Sequence, residues 1–353
     1  MPKGRSPSAP PAPAFIPPYP PSWLNRLIDW IDARRGPPWV YYSAAIVVLA
    51  ILLKLGQRFG GQSAAAASST DPIVFAFYPV YFVALMHYLD GQAKAALEAF
   101  RPALGAEESE VVRVRYELTT VPAAGAWIAT ALAVPLAFAF IVPLESDPLS
   151  PRVLPFEALA VVVTAITVGA ALVLIYHTVR QLRSVSRLHA EARSINLLQP
   201  QPTYAFSRLT SRTAIGVAAF FYLDFLVNPP VPGNELPYFT LTFGALLVLG
   251  AAFLLPLLGM HQRLGAEKAR LLAEVSGEVE DTYKDLQRLL KSRSYGQVGD
   301  IDKALSGLLR MRELVTGLST WPWQPGTLRG LVATVGVPLL LWLIQHGLQR
   351  FVG

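Results

Sequence analysis

The sequence predicts an all-α fold: a polytopic membrane helix bundle of seven transmembrane helices, N-terminus inside and C-terminus outside, with a cytoplasmic helical region. Three observations predict it. Hydrophobic residues make up 53 % of the 353 and charged residues only 15 %, for a mean hydropathy of +0.40. Apolar stretches of membrane-crossing length recur along the chain. Lys and Arg collect in alternate connecting segments. A soluble domain has neither the first nor the second feature. The absence of Cys excludes disulfides, thiolate catalysis, Cys-ligated zinc and iron–sulfur clusters. A net charge of +6 would suit nucleic acid, but the basic residues are sorted by loop rather than gathered in a patch, so no nucleic-acid partner is expected.

Residues 1–21 (MPKGRSPSAPPAPAFIPPYPP) are Pro-rich and lack material for a core, which predicts a disordered or polyproline tail rather than a cleaved leader. Residues 22–38 begin with Ser22 as a helix cap. Leu24, Leu27, Ile28 and Ile31 then share one face, with Asp29 and Asp32 opposite, as in a helix lying at the membrane interface.

A six-span bundle is expected over residues 39–260, with spans near 39–55, 73–90, 121–143, 154–177, 213–228 and 237–259. The second is the weakest signal, because it holds Pro79, three tyrosines and His87; it could equally be re-entrant or buried. Gly125 and Ala129 in the third span, and Ala165 and Gly169 in the fourth, sit at the four-residue spacing that lets helices approach closely. With the N-terminus inside, residues 1–38, 91–118, 178–212 and 261–329 hold 5, 4, 6 and 11 of the 30 Lys and Arg residues. Only Lys54, Arg58, Arg152 and Arg350 remain outside.

The inner loops read as helices. Leu182, Val185, Leu188 and Ala192 share one side after the fourth span, with Arg180, Arg183, Arg187 and Arg193 elsewhere, close to lipid headgroups. Residues 261–328 predict an antiparallel hairpin. Leu264, Leu271, Val275, Val279, Leu286 and Leu290 lie on its first arm; Asp300 caps the second, with Ile301, Ala304, Leu305, Leu308 and Val315 on one face. Trp321 and Trp323 mark the return to the interface, and residues 329–353 form the seventh span.

Chemistry is sparse. His87, His177, His189, His261 and His346 form no ligand pair at helical spacing, and no phosphate loop, dinucleotide fingerprint or nucleophile elbow occurs. Asp90-Gly91 with Ala93 and Lys94 is a fragment of the carboxylate-rich motif of membrane alcohol phosphotransferases, without the further aspartates that would hold metal. The expectation is a protein that is not an enzyme and has no cofactor or metal. Ionisable residues inside spans point to function, and two stand out: Asp224, near the outer end of the fifth span, and Glu157, at the outer start of the fourth. With Tyr222, Tyr78, Tyr81 and Tyr238 they are the candidates for a pocket holding a small-molecule ligand. Val337, Leu341, Gln345 and Leu348 share one face of the last span and are the candidate pore lining.

In the last span Gln345 follows an apolar run, with Pro338 and Leu339 where a Thr-Tyr pair and His346 where a Phe would complete the gustatory signature. With seven spans, an inside N-terminus and long helical inner loops, the chain resembles the insect odorant and gustatory receptor superfamily of ligand-gated cation channels and its bacterial relatives. That resemblance implies a cytoplasmic anchor built from inner extensions of the fourth to sixth spans, four subunits joined there, and the seventh spans around one pore. The first functional expectation is therefore a homo-oligomeric, chemically gated cation channel of the inner (plasma) membrane. The second is a non-conducting sensor or scaffold docking partners through its inner helices. A transporter ranks third, since no internal repeat is visible and midplane charges are few.

Overall fold

The computed structural model describes residues 15–59, 72–141, 154–191, 204–227, 235–293, 295–323, 329, 330 and 333. These hold nine α-helices and one 3₁₀ turn, and no β-strand occurs among the described residues. Four of the helices are long and apolar enough to cross a membrane: α2 (Pro38–Phe59), α3 (Pro72–Leu104), α6 (Leu154–Glu191) and α7 (Ala205–Val227). The chain is thus a multi-pass helical membrane protein. α5 (Ala123–Ile141), the expected third span, is helical straight through Pro135, and its described apolar stretch is shorter than the other four. The sixth expected span is the first part of α8 (Glu235–Lys291), where the backbone is helical and most side chains lie outside the described residues. The seventh, with Val337, Leu341, Gln345 and Leu348, lies outside them almost entirely.

The second expected span, the weakest of the sequence signals around Pro79, is an unbroken helix long and apolar enough to cross a membrane, and it is the hub of the bundle. Its residues Phe82, Val83, Leu85, Met86, Leu89, Ala93, Leu97 and Phe100 form the spine of the largest apolar cluster. The helix does not stop at residue 90, because Ala93, Ala96, Leu97 and Phe100 continue its apolar stripe to Leu104 beyond the end expected from hydropathy. Gly105, at a φ of +57°, then turns the chain into α4 (Glu108–Thr119). α4 folds back along α3 through the Arg101–Glu108 and Arg115–Glu98 ion pairs.

α5 and α6 make the closest pair of small-residue faces. A methyl group at Gly125 would fall 2.5 Å from the Tyr176 ring, and one at Gly169 would touch Ala133 at 3.5 Å. Ala126, Ala133 and Ala137 are sealed in the same contact. Apolar side chains gain little by leaving lipid for protein, so close backbone approach of this kind supplies the packing energy. Past the membrane α6 keeps its stripe, with Leu182, Val185 and Leu188 buried and Arg183 and Arg187 exposed.

At about 1.5 Å per residue the 57 residues of α8 span about 85 Å, far more than a hydrocarbon core of about 30 Å. After the 3₁₀ turn at Tyr295–Gln297, α9 (Val298–Gly317) returns antiparallel to it as the expected hairpin. The 3₁₀ turn feeds α9 three residues early, so Asp300 lies inside its first turn rather than capping it, where a carboxylate still meets the helix dipole favourably. The returning strand of chain is fastened by Lys268, whose Nζ donates to the carbonyls of Thr316 (2.6 Å) and Leu318 (2.8 Å). Trp321 stacks on His261 at 4.0 Å, and Trp323 stacks on Trp321 at 4.3 Å.

The amphipathic segment is α1 (Trp23–Asp32). Ser22 Oγ accepts the Asn25 N–H as the expected cap. Leu24, Ile28 and Ile31 close onto the bundle, while Leu27 and Trp30 stay exposed. The docking is polar as well as apolar. Asn25 Oδ1 accepts from Ser22 Oγ (2.7 Å) and the Val121 N–H (2.9 Å), and its Nδ2 donates to the Thr119 carbonyl (3.0 Å). Ser22 N–H to Val121 O and Ala123 N–H to Pro20 O complete a short antiparallel bridge at the foot of α5.

Candidate functional site

The seam between α3 and α7 gathers three of the six pocket candidates, Tyr78, Tyr81 and Asp224. Gly216, Phe220 and Asp224 are each four residues apart and so line one ridge of α7. At the tight end, a Cβ on Gly216 would stand 2.5 Å from Leu85 Cδ1, so any larger residue there must push the Leu85 side chain aside. The Tyr81 hydroxyl donates to the Gly216 carbonyl at 2.6 Å. One step along, the Phe220 ring meets Phe82 (4.5 Å), Tyr78 (5.2 Å) and Tyr81 (5.9 Å). Next, the Tyr78 hydroxyl donates to Asp224 Oδ1 at 2.7 Å. The structure thus brings Tyr78, Tyr81 and Asp224 together along one seam. Tyr222 is not part of it: two residues from Asp224, it projects from another side of α7 and is exposed. Glu157 and Tyr238 lie in the first turns of α6 and α8, with their side chains outside the described residues.

A second polar layer, missed from sequence, lies toward the other end of α3. His177 of α6 and Asp90 of α3 are 2 % and 3 % exposed, and the ring Nε2–H donates to Asp90 Oδ1 at 2.7 Å. One turn back, His87 bridges Tyr42 of α2 (2.8 Å at Nδ1) and Asp32 of α1 (3.0 Å at Nε2). The signal for the buried pair was present in the spacing. Asp90 and His177 close the second and fourth expected spans, which run in the same direction, so they sit at the same depth. From sequence Asp90 marks only the end of the second span and a fragment of a metal-binding motif, with no link to His177.

Arg180, three residues beyond His177, is drawn in as well rather than left to headgroups. Its guanidinium donates to the Thr120 carbonyl (2.9 Å) and to the Tyr19 hydroxyl (2.6 Å) and lies 4.4 Å from the centre of the Tyr19 ring. Tyr19 in turn donates to Thr120 O, and Tyr116 donates to the Tyr19 carbonyl. Burial raises the Tyr19 hydroxyl above its ordinary value, outweighing the pull of the Arg180 charge in the other direction. The bound stretch at Tyr19–Ser22 begins inside the segment that composition alone assigns to the tail.

The fold and these two layers define a class: a helical multi-pass membrane protein whose central helix is held by polar contacts at both ends. No family model, curated protein or solved structure matches the chain. Among the described residues no group of three or more His, Asp and Glu side chains could hold a metal ion.

Proposed function

We propose that the chain is a self-associating membrane protein of the inner (plasma) membrane that opens a cation path in response to a small ligand. In this reading it crosses the membrane seven times, with the N-terminus inside, and the last span lines the path through Val337, Leu341, Gln345 and Leu348. The observation that carries it is the hairpin of α8 and α9. Two helices cannot cover each other on all sides, and this pair leaves Leu290, Leu309, Met311 and Leu314 exposed, the last at 69 %. Leu309 and Met311, two residues apart, project from different sides of α9. Apolar surface on more than one side of the hairpin suits contact with further copies below the membrane, tetramers being the assembly the family resemblance implies. The meeting of Tyr78 and Asp224 supports a ligand site in the other half of the bundle.

The test is single-channel recording of the purified protein in planar bilayers, together with particle imaging for rotational symmetry. Stepwise cation currents from a symmetric oligomer, altered by Gln345→Ala, are the expected result; a monomeric, electrically silent protein overturns the reading. The same exposed apolar residues favour a second reading, a non-conducting sensor or scaffold that docks a partner there. A symmetric oligomer that never conducts would favour it.

A further inference from the structure

We infer that the elbow between α1 and α2 binds the headgroup of an anionic phospholipid, with Arg26, Arg34 and Arg35 around the phosphate and the outer face of α2 beside the acyl chains. The inference goes beyond the channel reading and holds whether or not the protein conducts, because it draws only on the multi-pass membrane fold.

The apolar half comes first. α2 leaves Val40, Val47, Val48, Ile51, Leu52 and Leu55 exposed. On a helix long and apolar enough to cross a membrane, such a face meets lipid. Tyr41 lies seven residues before Val48 and so on the same side of the helix. Its ring meets Trp30 of α1 edge-on at 6.2 Å. The lipid-facing side of α2 therefore leads directly onto α1 at Trp30. Both indoles at this end, Trp30 and Trp39, are exposed, as suits the headgroup boundary.

The charge comes second. Leu24, Ile28 and Ile31 turn one face of α1 into the bundle, which leaves Arg26 and Trp30, four residues apart, on the outer ridge. Arg34 follows in the turn and lies over the Trp30 ring, 4.5 Å from its centre. Arg35 is next in the chain. All three arginines are exposed, and among the described residues none of them is in an ion pair. Of the two carboxylates on α1, Asp32 is held by His87 at 3.0 Å, which leaves Asp29 alone against three guanidinium groups. Guanidinium groups grip phosphate oxygens through paired N–H donors. A zwitterionic headgroup would bring its own ammonium among the arginines and be repelled by them, so the cluster selects an anionic lipid.

The elbow is also shaped in advance. Gly36, at a φ of +117°, makes a turn that other residues adopt only under strain. The Tyr41 hydroxyl donates to the Arg35 carbonyl at 2.7 Å and ties the two helices across that turn. With Arg34 already stacked on Trp30, less side-chain freedom is lost when a phosphate arrives. A free phosphate would meet the same arginines and gain nothing from the face of α2, whereas a membrane lipid uses both.

The test uses the full-length protein in nanodiscs made from equal amounts of phosphatidylglycerol and phosphatidylcholine with matched chains. Native mass spectrometry counts the lipids each chain retains. Phosphatidylglycerol should outnumber phosphatidylcholine by at least about fivefold, the discrimination expected from one unopposed arginine beside a headgroup. Arg26→Gln, Arg34→Gln and Arg35→Gln together should bring the ratio close to one. Removing three charges at the far end of the hairpin, by Lys284→Gln, Arg288→Gln and Lys303→Gln, should leave it unchanged. Equal retention of the two lipids by the unaltered protein overturns the proposal without any variant having to fold; so does a preference that survives loss of the three arginines. Displacement of the lipid by millimolar inorganic phosphate would assign the arginines to a free anion instead. Disulfide cross-linking between copies of an Arg34→Cys variant, in a chain with no other Cys, would place a second chain on this surface and overturn the lipid assignment as well.

Discussion

Removing the Asn25 side chain should release the N-terminal segment from the bundle while leaving the bundle folded. Asn25 is 6 % exposed and uses both ends of its amide, taking the Val121 N–H at 2.9 Å and giving to the Thr119 carbonyl at 3.0 Å. Asn25→Ala strands both backbone groups in a region that is itself buried: Val121 has no exposed surface, and Thr119 keeps only 9 %. A buried group that loses its partner costs about 1–3 kcal/mol, so two of them cost about 2–6 kcal/mol before relaxation. Taking about 3 kcal/mol, the open form of the segment gains roughly two powers of ten in population. Hydrogen exchange in nanodiscs reads this directly: peptides covering residues 15–33 should exchange on the order of a hundredfold faster, with α6 unchanged. Leu27→Ala, on the exposed side of α1, is the control. Asn25→Asp should be no better than alanine, because its second oxygen would face the Thr119 carbonyl. If Asn25→Ala exchanges no faster than Leu27→Ala, the amide does not hold the segment and the latch as described is wrong.

Three further outcomes follow from the same geometry. His177→Leu leaves Asp90 buried with its partner gone and should lower the thermal midpoint in detergent, by an amount corresponding to about 3–5 kcal/mol; the Asp90→Leu, His177→Leu double variant should recover most of it, and failure to recover would refute a paired arrangement. Gly216→Ala should cost about 1–3 kcal/mol by forcing Leu85 off its site, and Leu85→Ala should relieve part of that in the double variant, an effect measurable by chemical denaturation. For Tyr19 the folded value lies above the ordinary 10.0, so the docked segment is favoured by the neutral phenol. That contribution is complete below pH 10.0 and is lost as pH rises through the raised value. Alkaline titration followed by phenolate absorbance should show this tyrosine ionising late, as should Tyr116, whose hydroxyl is also raised by burial, together with exposure of the segment to protease; Tyr19→Phe should reduce the late step by one phenol.

How far the sequence could be read depended on which residues carried the information. Periodicity was enough where a face is apolar and continuous: Leu182, Val185 and Leu188 in the α6 extension, and Leu264, Val275 and Val315 near the membrane end of the hairpin, are buried as their spacing predicts, whereas Leu290 and Ala304 of the same predicted faces are exposed. Small residues at four-residue spacing were enough for α5 and α6. What hydropathy could not reveal was a helix end masked by a polar contact. Asp90 ends an apolar run and looks solvated, but His177 at equal depth allows it to be buried, and α3 continues. The site was half legible for a related reason. Asp224 stood out because a carboxylate among apolar residues is costly, whereas its attachment to Tyr78 rather than to Tyr222 depends on which faces of α3 and α7 meet, which one chain's spacing does not specify.

That dependence explains the form the bundle takes. In lipid, leucine against leucine is little better than leucine against an acyl chain, so a purely apolar α3 could slide or rotate among its neighbours at small cost. Each neighbour instead holds it at a defined height. α7 does so through Tyr81 at Gly216 and Tyr78 at Asp224, α6 through His177 at Asp90, and α1 and α2 through the two nitrogens of His87. Turning α3 by one residue, about 100°, would break all five contacts at once and carry Asp90 away from its histidine. The polar side chains of α3 therefore fix its register, and the surrounding apolar surface fills the space that this register leaves.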